Sequence, residues 1–249
     1  MRENVQSTSR IDARKLLAAR VTIAMENSPV SVILLNTTVR HLNERGLALM
    51  AKAARACDWE AGLSSWKEIR PLLARASEST LSRASRCPMT LLDFNFQRVA
   101  WWSRTINRHS SEDSRQRSLS AFHGDEAIPL AHDLLLEAWS AARSMSQVSS
   151  LVFGMAPEVT TLIAQLSPRD IDQLVVQEIQ ELRPRWETRP MFWKELFQAA
   201  TQMDDEILEN VYLHCLQLLG GELASTRGQP FISVTAAQGP VTEATAQAS

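Results

Sequence analysis

The side chains that could do chemistry are few and scattered. Histidines stand at 41, 109, 123, 132 and 214, and cysteines at 57, 87 and 215. No histidine pair falls at i and i+4, and none sits in the H-E-x-x-H frame that turns two ring nitrogens to one helix face. His214 and Cys215 are adjacent, so a helix directs them differently, whereas a tetrahedral metal needs three or four convergent ligands. G-x-S-x-G, P-loop and G-x-G-x-x-G motifs are absent. The sequence therefore predicts no catalytic residue, no metal site and no cofactor. Asp204, Asp205 and Glu206 form an acidic run that suits either a cation or, as we prefer, the positive end of a helix. Arg183, Arg185 and Arg189 surround Trp186 in a segment interrupted by Pro184 and Pro190. Arginines so placed could clamp phosphates, or line an ordinary solvated loop. Trp101-Trp102 beside Arg98, Arg104 and Arg108 reads in the same two ways, as a binding patch or as core aromatics with a snorkelling rim.

The elements that must position these groups read as helices. The chain has 249 residues, 45% of them apolar, with only 8 Gly and 10 Pro, which favours helix over strand. No stretch approaches the roughly 18–20 apolar residues of a membrane span, and the N-terminus lacks the apolar core of a secretory signal. Three cysteines far apart in sequence suit a reducing cytoplasm. Residues 1–123 carry 19 basic against 11 acidic side chains and residues 124–249 carry 7 against 17. A basic half and an acidic half can attract each other or suit different partners.

In chain order, an amphipathic helix is expected after Ser9 and a second over about 30–56. A third should start near Asp58 and be kinked or restarted at Pro71. MTLLDFNFQRVAWWSRTI, 89–106, reads as a further helix. Residues 107–127 are polar and turn-rich, as in a linker. HDLLLEAWSAARSMSQVSSLVFG reads as one long apolar helix closed by Gly154, and Pro157 opens a short one. Ser167 caps a third helix with Pro168 at its first position and Asp170 in its first turn. A helix begins near Pro190, and a last one runs to Gly220-Gly221. The expected fold class is all-α. Its units are a helical bundle or rod over 1–106, a linker over 107–127, a helical domain over 128–221 and a disordered tail over 222–249.

Residues 134–182 resemble the flagellar regulator subunit FlhD. The matching pieces are LLLEAWSAARSMSQVSSLVFG, MAPEVTTLIAQLS and PRDIDQLVVQEIQEL. Gly154, Glu158, Thr160-Thr161, Leu166-Ser167 and Leu174 fall in step. Arg185-Trp186 is similar to a short Phe-Arg-Phe-type segment of that family, and Asp204-Asp205 to an Asp pair opening its final helix. Val152 replaces the family's arginine, and Leu182 stands where some members carry cysteine. The resemblance implies a helical homodimer, with Leu135, Phe153, Leu162, Leu166 and Leu174 at its interface. It further implies a FlhC-like partner, promoter DNA met through Arg183, Arg185 and Arg189, and RNA polymerase as a recruited enzyme. The N-terminal segment LNERGLALMAKAARACDWEAGLSSWKEIRPLLARASESTLSRA also resembles phasins, helical proteins that coat polyhydroxyalkanoate granules. That likeness implies the alternative of an amphipathic surface-coating protein.

Overall fold

A computed structural model describes residues 29–56, 66–107, 122 and 125–227. The helix expected after Ser9, most of the 107–127 segment and the tail beyond Arg227 lie outside them. The described residues are mainly helical. They form α1 (Pro29–Arg55), α2 (Ile69–Arg75), α3 (Glu78–Ala84), a strand β1 (Leu92–Asp93) and α4 (Val99–Asn107). Then come α5 (Ala127–Ser144), α6 (Ser146–Val152), α7 (Pro157–Ala164), α8 (Pro168–Glu178), β2 (Arg183–Pro184), α9 (Pro190–Gln202) and α10 (Asp205–Arg227).

The long helix α1 is built on a stripe of Leu35, Val39, Leu42, Leu47 and Met50, all buried. That stripe packs on α5, α2 and α3. Ion pairs Arg45–Asp133 and Lys52–Glu126 lie along the α1–α5 seam. α5 in turn packs on α6, α7 and α8, while α9 covers α2 and α3 and carries α10. β1 and β2 pair antiparallel, Leu92 opposite Pro184 and Asp93 opposite Arg183. One hydrophobic cluster runs from Leu35 to Leu219. The described parts of the segments expected as two units, 1–106 and 128–221, therefore share one core.

Of the two outcomes expected at Pro71, the helix restarts: α2 begins at Ile69, and Pro71 is its third residue, where its missing N–H has no intrahelical partner to lose. Four local expectations are corrected. Residues 89–106 are not one helix. Leu92–Asp93 is strand, Asn95 has φ 55°, and the helix starts only at Val99. The long helix before Gly154 is two helices, broken at Met145 with φ −146° and ψ 59°. Arg183–Pro184, expected as loop, pairs with β1. α10 does not stop at Gly220-Gly221 but runs to Arg227, and Glu222 beyond the glycines is held by Arg185 at 2.8 Å. That tie offsets the roughly 1 kcal/mol that each interior glycine costs relative to alanine. The Ser167 expectation is met in detail. The Ser167 hydroxyl accepts from Asp170 N–H at 3.3 Å, and the Asp170 carboxylate accepts from Ser167 N–H at 2.8 Å.

Candidate functional site

A buried polar cluster forms where β2 meets α10. Arg185 is only 4% exposed. Its Nη2 donates to Glu222 Oε2 at 2.8 Å, and its guanidinium lies 4.6 Å from the Trp186 ring centroid. Its backbone is fixed on both sides. Arg185 N–H donates to Leu91 O at 2.8 Å, and Trp193 Nε1–H donates to Arg185 O at 2.9 Å. Gly154, with φ +68°, passes under the guanidinium. A Cβ there would stand 1.7 Å from Nη2 of Arg185. Gln97 Nε2 donates to Gly154 O, which ties the segment after β1 to the α6–α7 turn.

Asp93 on β1 completes the cluster electrostatically. Loss of hydration raises its carboxyl above the ordinary 3.8, the Phe96 N–H and the Arg185 charge oppose this, and Glu222 adds to it. Arg185 Nη1, Gln97 Oε1 and Trp186 Nε1 are buried without a hydrogen-bond partner. Such groups cost stability in a low-dielectric interior. The arrangement sets a fixed cation against carboxylates and ties β1, β2, the α6–α7 turn and α10 together, as a clamp does.

A pH dependence follows. A group whose folded pKa is raised binds its proton more tightly when folded, so stability is lost as pH climbs from the unfolded value through the folded one. Between about pH 4 and the raised value, the native chain should lose stability relative to Asp93→Asn. Urea midpoints measured from pH 4 to 7 should converge or cross with this sign, and parallel profiles would refute it.

Cys87 and Cys215 lie beside the clamp, both buried, with sulfurs 3.6 Å apart. Burial opposes either thiolate. Of the two, Cys87 is held low by the Cys215 thiol, the Met89 backbone and the Arg185 charge, while Cys215 is pushed up. Tyr212, one turn away, donates to Arg83 O at 2.9 Å, and burial raises its phenol.

The expected DNA-contacting arginines separate. Arg183 is half-buried and pairs with Glu187 at 3.2 Å and Glu181 at 3.5 Å. Arg185 is sealed in the clamp, which removes it as a phosphate contact. Arg189 is exposed at the start of α9. The expected dimer residues divide as well. Leu135, Phe153 and Leu174 are buried within the chain at 2%, 0% and 7% exposure, so no second copy can reach them. Phe153, for instance, meets Phe96 edge-on at 6.2 Å. Leu162 and Leu166 are half-buried and pack on the same core. Trp102 is core and Trp101 half-buried, while Arg98 and Arg104 are exposed. The acidic run behaves as a helix start: Asp204 Oδ1 accepts from the N–H groups of Glu206 and Ile207, and Asp205 pairs with Arg83 at 2.8 Å. His214 faces Glu195 at 3.1 Å, while Cys215 faces Cys87. His132 pairs with Asp172 at 2.9 Å. Among the described residues no three His, Cys, Asp or Glu side chains gather as a metal would require. No described helix is long and apolar enough to cross a membrane.

Compared with known family models, curated proteins and solved structures, the chain matches none. A residue that sequence reasoning missed is Asn43, fully buried on α1. Its Nδ2 donates toward Ser85 O at 3.3 Å, Cys87 O at 3.3 Å and Met89 O at 2.9 Å, and its Oδ1 accepts from Leu91 N–H at 2.7 Å. A signal was present: Asn43 falls four residues after Val39 and seven before Met50, on the apolar stripe itself.

Proposed function

We propose that the chain is a non-enzymatic regulatory scaffold, a FlhD-like helical subunit that binds a FlhC-like partner and, with it, promoter DNA. The supporting observation is that the turn residues on which the FlhD likeness rests are the ones that shape α5–α8. Gly154 takes φ +68° between α6 and α7, and Ser167 caps α8. In this reading the clamp keeps the scaffold rigid. The exposed Arg189 replaces Arg185 as the arginine available to a phosphate.

The alternative of a granule coat has less support. It needs the apolar faces of α1 to α4, and apart from the exposed Ile33 and Leu34 of α1 these pack into or against the common core. The test is a gel shift with the full chain, a FlhC-like protein and promoter DNA. A shift should require both proteins and should weaken steeply between 50 and 200 mM salt, as counterion release dictates. Arg189→Ala should weaken it without lowering the melting temperature. Failure of the two proteins to co-elute, together with no partner-dependent shift, would refute the proposal.

A further inference from the structure

The β1–α4 and β2–α9 segments repeat one another at a spacing of 91 residues, from Leu92 to Arg183. At that spacing the two left-handed residues correspond, Asn95 and Trp186, each with φ 55°. The helix starts correspond, Val99 and Pro190. Trp102 and Trp193 correspond, both fully buried. Each indole N–H donates to a carbonyl at the preceding turn, Asn95 O at 3.0 Å and, one residue earlier in the aligned register, Arg185 O at 2.9 Å. The turn hydrogen bonds correspond too: Arg98 N–H to Asn95 O at 2.9 Å, and Arg189 N–H to Trp186 O at 2.8 Å. Before each aligned tryptophan stands another aromatic, Trp101 or Phe192.

Upstream the match continues at a spacing of 90. Ser77 and Ser167 each cap a helix by accepting from the backbone N–H three residues on, at 3.1 and 3.3 Å. Element by element, α1, α2, α3, β1 and α4 answer to α5, α7, α8, β2 and α9, with α6 extra.

The contacts between the two sets follow a two-fold. α1 packs on its counterpart α5. α4 packs on α7 of the other set as α9 packs on α2 of the first, while the packing of α9 on α3 has no comparable mate between α4 and α8 among the described residues. The strand register obeys the same operation. Leu92 faces Pro184, the counterpart of Asp93, and Asp93 faces Arg183, the counterpart of Leu92. An antiparallel pair in which each position meets its partner's other position is an isologous contact, the kind that joins identical subunits.

We propose that residues 29–107 and 127–202 are two copies of one helical unit, and that a single chain thereby forms the two-fold assembly that a homodimer of such units would build. The occupant of each unit's apolar face is the other unit of the same chain. The homodimer implied by the FlhD resemblance is thus internal, and the full chain should stand alone. α10 breaks the symmetry, because it follows only the second copy and reaches across to the first through Tyr212 and Cys215.

This inference is independent of the regulatory reading, and its test uses neither partner nor DNA. Light scattering of the full chain at micromolar concentration should give the single-chain mass of 27.9 kDa. A two-chain mass would overturn the proposal. Leu92→Cys with Pro184→Cys should oxidise to a cross-link within one chain, seen as a monomer on a non-reducing gel and mapped by mass spectrometry. Where that variant does not fold, Asp93→Cys with Arg183→Cys reports the same register. A cross-link between chains, or none in a folded variant of either pair, would overturn it. Trp102→Leu and Trp193→Leu should lower the thermal midpoint by amounts within a factor of two of each other. A large effect at one position and none at the other would count against equivalence.

Discussion

Asn43→Ala is expected to destabilise the chain by about 3–5 kcal/mol, in the range reserved for broken buried networks. The side chain is fully buried and joins four backbone groups of residues 85–91. Alanine leaves the Leu91 N–H and up to three carbonyls without this partner in a site water does not reach. Each unmet group costs about 1–3 kcal/mol, and local relaxation recovers part. Asn43→Asp separates the two roles. It keeps an acceptor for Leu91 N–H but removes both donors and buries a charge, so it too should be strongly destabilising. Urea unfolding gives the size of the loss, and amide exchange should show Leu91 and its neighbours losing protection first. A loss below about 1 kcal/mol would mean that the segment before β1 holds itself in place.

Gly154→Ala is the second large effect, at about 3–4 kcal/mol. Two causes add. An L-residue with φ +68° costs about 1–2 kcal/mol. The new methyl would also stand 1.7 Å from Nη2 of Arg185, so the guanidinium must leave Glu222. Breaking a buried pair costs about 3–5 kcal/mol, less here because Glu222 keeps a quarter of its side-chain surface in water. A double-mutant cycle tells the causes apart. In an Arg185→Ala background the methyl meets no guanidinium, and only the backbone cost should remain. Equal costs in both backgrounds would show that the glycine serves its φ alone.

Much of the helical content was legible in the sequence because periodicity and caps act locally. Ser167, Pro168 and Asp170 specify a helix start wherever they occur, and they do so here. The segment 89–106 was misread for an identifiable reason. Leu92, Phe94 and Phe96 alternate as a strand does, but a run of two paired residues is too short for period two to outweigh the helical pattern that follows. Its strand state depends on Asn43 and on β2, which lie about 50 and 90 residues away in sequence, and no local rule reaches that far. The clamp was half visible. Arg185 stood out as charged among prolines, and charge suggested solvent. Its burial follows from Gly154 and Glu222, residues whose local patterns indicate a helix stop and a tail. The internal repeat escaped because positions 91–107 and 182–198 share only Leu, Arg and Trp at corresponding places. What the copies retain is backbone conformation and burial, to which many sequences are equivalent.

The way α9 covers α2 and α3 has a consequence for how the protein is made. A ribosome delivers the chain from its N-terminus at about 5–20 residues per second. Roughly 110 residues separate the end of α3 from the middle of α9, so on the order of ten seconds pass between their emergence. Through that interval the apolar side of α2 and α3, with Ile69 and Leu73, awaits its cover. The same holds for β1, whose strand partner among the described residues is β2. The nascent first copy therefore exposes the surface that its later twin will fill, and it is in this window that chaperones and neighbouring nascent chains compete for it.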